Sequence, residues 1–397
     1  MTVPDFLQSH RADPAHLDAP QALSALLEDM AQGLAGHGNI PMIPSYLTNH
    51  IPVPQGACCC VLDAGGTNLR TALAVFQPDG TCRLEHRTQS PMPGTQGELS
   101  YPALYRALAA PLLPLGHYEK VGFCFSYNVT LDRTLDGNLD FWCKEVRAPE
   151  AVGRPVGASL KTALGSDCES VHVLNDSVAA MLGAGTQANP VDIGIILGTG
   201  VNVCYLESCS RIPKIRESLR SDSMIISTEV GEFSRLPKSD FDLAVIESSD
   251  TPENAQAEKQ CSGGYLGSII TQAWMTAARE GLLPEAFCRD SWDLARISQS
   301  LAEGTLPANA DQIARQLINR AAKVAAILCA GPMILSRKST LRVAVEGSQY
   351  WKLTGFREAF HRELDALLLP HGISCEIIRS QDSCLIGAAR AAFAQSM

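Results

Sequence analysis

Two short stretches of this 397-residue chain carry the residue types that hold anions. The first is Asp63-Ala64-Gly65-Gly66-Thr67-Asn68, with Arg70 close behind, and the second is Gly198-Thr199-Gly200. Backbone N–H groups in a glycine turn approach a phosphate closely because no Cβ intervenes, and Thr and Asn side chains extend the donor set. One Gly-Gly-Thr turn is ordinarily a plain hairpin. Two such turns, each set between apolar runs, suit a ligand gripped from both sides. Neither Gly-x-x-x-x-Gly-Lys-Ser/Thr nor Gly-x-Gly-x-x-Gly occurs, so the other common phosphate and dinucleotide loops are not in play. A third stretch, Asn175-Asp176-Ser177, follows an apolar run and precedes a helical one. Asp, Asn and Ser there are ordinary helix caps, yet a strand end is also where a catalytic carboxylate is held rigidly.

The elements that must position these residues read as alternating strands and helices. Cys58 to Leu62, Leu69 to Phe76 and Thr81 to Thr88 form a β-meander around the first glycine turn and Asp79-Gly80. Ile193 to Leu197 and Val201 to Leu206 flank the second turn in the same way. Strand, Gly/Thr turn, strand therefore appears twice, which suggests two similarly built α/β halves facing each other across a cleft. Val121 to Tyr127, Val171 to Leu174 and Leu341 to Val345 read as further strands. Asp18 to Ala35, Gln312 to Ala330, Phe356 to Leu369 and Leu385 to Gln395 read as helices, with another beginning at Ser177. The length suits two domains.

Composition narrows the function classes. A chain with 46% hydrophobic and 19% charged residues has ample material for a core. Lys plus Arg is 32 against 42 Asp plus Glu, a net charge of −10 with no dense basic run, which argues against nucleic acid as a partner. The segment Met1-Thr2-Val3-Pro4-Asp5-Phe6 lacks the basic and apolar regions of a secretory signal. The most apolar later stretch, Ala321 to Leu335, carries Lys323, Gly331 and Pro332, so no membrane span is expected. Fourteen cysteines, many in apolar runs and none in a Cys-x-x-Cys pair, read as free core thiols of a reducing cytoplasm rather than disulfides or a zinc site.

In order and type, the segments from about Cys58 to Ala389 resemble those of the hexokinase family. Val61 to Arg70 is similar to the family's first phosphate motif and Ile195 to Tyr205 to its second. Phe123-Cys124-Phe125-Ser126, Trp142-Cys143-Lys144 and Leu174-Asn175-Asp176 resemble its sugar-binding segments, continued by Thr228 to Phe233 and Glu258 to Gly267. Val345 to Tyr350 looks like the adenosine-side motif. The resemblance implies a two-domain actin-like (ribonuclease H-like) sugar kinase fold with a central cleft. It divides the chain into 57–175 plus 385–397 as a small domain and 1–56 plus 176–384 as a large one.

It further implies ATP and Mg²⁺ as cofactors and a hexose, glucose first, as substrate. Asp176 is then the general base and Lys144 the charge near the reacting oxygens. Ser126, Cys143, Lys144, Asn175, Asp176, Asn202, Glu229, Gln256 and Glu258 face the sugar, whose hydroxyls each donate and accept. Asp63, Gly65, Gly66, Thr67, Asn68, Arg70, Gly198, Thr199, Gly200, Gly347 and Ser348 face the nucleotide, with Asp63 orienting waters on Mg²⁺ and no protein metal cage required.

The chain departs from the family in three places: Asn128 stands where proline is usual, Cys143 replaces a sugar-bonding threonine, and 380–386 lacks further glycines and a lysine. A kinase for another hexose or an amino sugar, and a sugar sensor without turnover, therefore stay open. Monomer and homodimer fit equally.

Overall fold

The structure, a computed structural model, describes residues 1–142, 146–186, 188–215, 219, 221–285, 287 and 292–395. In chain order the strands are β1 (Ile43–Pro44), β2 (Cys58–Ala64), β3 (Asn68–Phe76), β4 (Cys82–Pro91), β5 (Lys120–Phe125), β6 (Asn128–Leu131), β7 (Gly137–Phe141) and β8 (Ser170–Leu174). They continue with β9 (Ile193–Leu197), β10 (Val201–Ser208), β11 (Ser223–Ser227), β12 (Thr340–Glu346) and β13 (Ser374–Ile378). A five-stranded sheet has the order β4-β3-β2-β5-β8 and a six-stranded sheet the order β1-β11-β10-β9-β12-β13, while β6 and β7 form a separate hairpin.

Each large sheet is an antiparallel meander continued by two parallel strands: β5 and β8 extend from β2, and β12 and β13 from β9. Apart from the short edge strand β1, the two sheets share one strand order, third-second-first-fourth-fifth. The two halves expected from the repeated turn are thus present, in a mixed α/β architecture. Burial explains the local patterns. β2 is central, and Cys59 through Ala64 are all buried, so it reads as a continuous apolar run. The edge strand β4 has one buried residue in ten.

Two helices join the sheets. Asp176–Ala184 packs on β9 and β12, Ser383–Ala391 packs on β5 and β2, and the helices pack on one another. Their contact is backbone to backbone. A methyl group at Gly183 would stand 1.9 Å from Ser383 O, one at Gly387 1.9 Å from Ala179 O, and one at Gly122 on β5 1.9 Å from Ala388 O. On the other sheet, a methyl at Gly194 of β9 would stand 2.3 Å from Ser177 O.

The 28-residue helix Ala308–Leu335 extends beyond the stretch read from the sequence and is long and apolar enough to cross a bilayer. It is a core helix: 83% of its most apolar window is buried inside the fold, and its Arg320 makes a 2.8 Å ion pair with Asp242, both nearly inaccessible. The final helix ends at Ala391, and begins two residues before the expected Leu385. All described cysteines are unpaired.

The helix contact yields a stability test. Gly183→Ala or Gly387→Ala should lower unfolding free energy by about 1–3 kcal/mol, the usual penalty of overpacking. Gly97→Ala is the control, since a methyl added there meets nothing within 4 Å. Denaturant unfolding of the three variants reads the difference; equal stabilities would show that the helices part without penalty.

Candidate active site

Asp63 and Arg70 are directly opposed on β2 and β3, which places the guanidinium on the Asp63 carboxylate. Burial pushes the Asp63 carboxyl above its ordinary range; Arg70 and a hydrogen bond from the Cys124 thiol oppose this, and the neighbouring Asp176 charge adds to it. Arg70 also feels Glu346 at the end of β12, so one cation lies between carboxylates of the two sheets. Between β2 and β3 the turn closes through Gly65 N–H donating to Asn68 O at 3.0 Å. Tyr127 OH donates to Gly65 O at 2.8 Å and fixes the turn from outside. Thr67 and Asn68 are exposed, the Asn68 amide donating to Thr67 Oγ1 at 2.9 Å.

The second turn is held by a different set of amides. Gly198 N–H donates to Gly200 O at 3.0 Å, while Gly263 N–H and Gly264 N–H donate to Gly198 O and Thr199 O at 2.8 and 3.0 Å. Glu258 Oε2 accepts from Val201 N–H at 2.9 Å, tying this carboxylate to the turn. Gly347, at φ 121°, lies so close that a Cβ would stand 2.1 Å from Leu197 O, which only glycine permits. Gly198, Thr199 and Ser348 line a cavity of about 520 Å³ together with Leu294, Ala295, Ala302 and Leu353. Glycine, hydroxyl and apolar groups in one lining suit a phosphorylated ligand with an aromatic base.

Three of the candidate sugar residues, Asn175, Asn202 and Glu229, form one hydrogen-bonded cluster with Ser227. Asn175 takes the helix cap, its Oδ1 accepting from Ser177 N–H at 2.8 Å and Ser177 Oγ at 2.7 Å. Asp176 is the first helical residue, its Oδ1 accepting from Ser177 N–H at 2.9 Å at the positive end of the helix. The Asn202 amide donates to Glu229 Oε1 (2.6 Å), Ser227 Oγ (3.0 Å) and Asn175 Oδ1 (3.3 Å), and its Oδ1 accepts from Glu229 N–H at 3.0 Å. Ser227 Oγ also donates to Glu229 Oε1 at 2.9 Å. Glu229 itself sits in the left-handed region at φ 58°. Burial pushes its carboxyl up to about 7, with the Asp176 and Glu258 charges adding to the shift and the Ser227 and Asn202 hydrogen bonds opposing it. Beneath Asn175 and Glu229 is a cavity of about 20 Å³, room for about one water.

Ser126 is buried at the end of β5, its N–H donating to Ala64 O at 3.1 Å, and Gln256 is half-buried just before Glu258. Cys143 and Lys144 lie outside the described residues. Among the described residues no group of three or more His, Cys, Asp or Glu is arranged to hold a metal ion.

Several contributors carry no signal in the sequence. Ile43 and Ser45 line the small cavity because β1 joins the edge of the six-stranded sheet at Ser227 and Ile226. Lys214 holds the chain leading into β1: its ammonium donates to Gly33 O, Pro41 O and Met42 O at 3.1, 2.7 and 2.5 Å, and burial lowers its pKa to about 8. Isolated Ser and Lys residues have no pattern that would reveal these contacts. Ser227 precedes Glu229 by two residues, but the left-handed backbone at Glu229 breaks the strand alternation, so spacing alone does not reveal the pair.

The Glu229 shift has a definite pH signature. Its ordinary pKa is 4.5 and its folded value about 7, so between these the native state binds more protons than the unfolded chain and stability contributed by this group is lost as pH rises. In Glu229→Gln that loss is removed. The unfolding free energy of the variant relative to the parent should therefore climb from about pH 4.5 to 7 and level off above, measured by denaturant unfolding across that range. A pH-independent difference would show that Glu229 keeps an ordinary pKa.

Comparison with known proteins agrees with this arrangement. Two family models, each described as hexokinase, match residues 3–186 and residues 192–305 with 307–394. Hexokinase-7 of Oryza sativa is 28% identical, covering 98% of this chain and 96% of its own. Hexokinase-like 1 protein of Arabidopsis thaliana is 34% identical over 62% of this chain, and that match spans only 54% of its own length. Among solved structures, the Schistosoma mansoni hexokinase complexed with glucose superposes with a TM-score of 0.84 at 22% identity, covering 98% of both chains. A ROK family glucokinase from Streptomyces griseus in complex with glucose and AMPPNP gives 0.55 at 21% identity, covering 84% of this chain and 98% of that one. With one or the other family model matched from residue 3 to residue 394 apart from 187–191 and 306, the chain belongs to the hexokinase family.

Proposed function

We infer that the protein transfers the γ-phosphoryl group of ATP to the 6-hydroxyl of glucose or a related hexose. The observation that carries this reading is the single cluster of Asn175, Asn202, Ser227 and Glu229 beside Asp176, set in the same fold as a cavity lined by Gly198, Thr199 and Ser348. The cluster presents the mixed donors and acceptors that a ring of hydroxyls requires. The cavity combines Gly198, Thr199 and Ser348 with the apolar Leu294, Ala295, Ala302 and Leu353 in one lining.

In this reaction the hexose oxygen bonds to the γ-phosphorus as the bond from that phosphorus to the bridging oxygen breaks, and ADP departs. The attacking hydroxyl releases its proton as the new bond forms, and Asp176 accepts it. Asp176 is the first residue of the helix Asp176–Ala184, which fixes its backbone at the strand end. Asn175, Asn202, Glu229, Glu258, Gln256 and Ser126 orient the sugar. Thr199 and the Gly66 amide hold the phosphates, the Gly65 amide being taken by Asn68 O, and Lys144 offsets charge at the reacting oxygens.

The donor set fits a metal carried by the nucleotide rather than caged by the protein. Asp63 is a buried carboxylate with Arg70 as its cation and Asp176 as a repelling neighbour, a pair whose repulsion a nearby dication relieves. Mg²⁺ brought by the nucleotide would supply charge neutralisation there, and Asp63 is the residue that would hold its waters. The units 57–175 plus 385–397 and 1–56 plus 176–384 then close on the substrates, with cytoplasm as the working compartment.

A second reading, sugar binding without turnover, draws support from the divergent 380–386 loop, where Asp382 is held by Arg87 at 2.6 Å. An ADP-coupled assay with glucose, mannose, fructose and glucosamine separates the two: ADP release on any of them supports the kinase, and sugar binding without release on all supports the sensor. Asp176→Ala should lower kcat by roughly 10²- to 10⁴-fold while hexose binding, read by calorimetry, survives. Near-normal turnover in that variant would remove Asp176 as the base.

A further inference from the structure

We propose that Gln349 accepts a hydrogen bond from a ribose hydroxyl of the bound nucleotide, and so makes the protein discriminate ribonucleotides from deoxyribonucleotides. The proposal rests on the nucleotide assignment of the larger cavity. Gln349 lines that cavity from the short helix Ser348–Lys352 and is 3% exposed. Its Nε2 donates to Cys261 O at 2.5 Å, which fixes the amide so that the oxygen is the atom left over. That oxygen, Oε1, is buried with no hydrogen-bond partner. Buried polar atoms are almost always paired, and an orphan at a ligand site marks where a ligand group completes the set.

The chemistry of the orphan selects its partner. An amide oxygen accepts only, so it calls for a donor, and phosphate oxygens supply none at neutral pH. The nearby Ser262 Oγ is also buried without a partner, but a hydroxyl both donates and accepts and makes no such demand. Three of the other polar lining residues are already engaged, and Lys352 is a donor only. Ser298 Oγ accepts from Thr354 N–H at 3.0 Å while Thr354 Oγ1 donates to Ser298 O at 2.9 Å, and the Gln299 amide donates to Glu303 Oε1 at 2.8 Å.

Donors on a nucleotide are the ribose hydroxyls and, for adenine, the exocyclic amine. Position favours the ribose. A methyl at Gly263, whose N–H holds the phosphate-side Gly198 O, would stand 3.6 Å from the Gln349 Cβ. Gln349 is therefore next to the glycine turn, whereas the wall suited to a base, from Leu294 to Ala302, lies on a different helix, Leu294–Glu303.

The test is titration calorimetry of ADP, 2′-deoxy-ADP, 3′-deoxy-ADP and IDP on the intact protein, Gln349→Met and Gln349→Glu. Met keeps the volume and removes the acceptor; Glu keeps an acceptor at the same reach, its other oxygen protonated to donate to Cys261 O in place of Nε2. The parent should bind ADP about tenfold more tightly than one of the deoxy forms, the range expected when a buried acceptor loses its donor. Gln349→Met should bind ADP and that deoxy form alike, and Gln349→Glu should restore the difference. Equal weakening of all four nucleotides by Gln349→Met would overturn the proposal, leaving Gln349 a packing role. Loss of an ADP-over-IDP preference instead would overturn the ribose assignment in favour of the base amine. Because binding is read without turnover, a protein that releases no ADP on any hexose would refute the kinase reading and leave this measurement intact.

Discussion

The near-contact of the helices Asp176–Ala184 and Ser383–Ala391 is the constraint on which the arrangement depends. Each lies on a different large sheet, and the helices touch through Gly183 and Gly387 with no side chain between them. The same closeness continues into the sheets at Gly122 and Gly194. The distance between the two halves is thereby fixed by backbone thickness, the least adjustable dimension available. Asp176 at the start of one helix and Cys384 in the first turn of the other come together as a result, the Cys384 thiol lying 3.8 Å from Asp176 O.

A second theme is the concentration of carboxylates in one place. Asp63, Glu229 and Glu346 are all shifted toward the neutral form, each mainly by burial. Such groups are tolerated because each has partners: Arg70 for Asp63, Asn202 and Ser227 for Glu229, and Ser383 for Glu346. Removing a partner leaves an uncompensated charge, so these contacts are more constraining than exposed ion pairs of the same length.

The sequence makes some of this readable and leaves the rest dark for physical reasons. Central strands such as β2 and β9 are covered on both faces, and their uninterrupted apolar runs betray them. The glycine turns are visible because the backbone there must come close to something. Asn175 and Asp176 are ambiguous in sequence between cap and catalysis, and the structure divides the roles, giving the cap to Asn175. By contrast β11 holds only three consecutive apolar residues, and β13 and the hairpin β6–β7 are partly exposed, so none leaves a strong pattern. Lys214 and Gln349 act through what the rest of the chain brings to them. A lysine that meets three carbonyls from residues 33–42 has no signature in its own neighbours.

The shared strand order has a geometric consequence. In the two large sheets, the turn between the first and second strands is Gly65-Gly66 in one and Gly198-Gly200 in the other. These turns occupy the same place in the shared strand order, although their sequences differ. A polyphosphate is itself a row of repeated units, so each turn can meet the same kind of group. The sugar and the base are not repeated, and the residues facing them are unrelated. On the proposed reading, the shared strand order would meet the repetitive part of the ligand, and the residues that differ between the sheets would meet the parts that must be told apart.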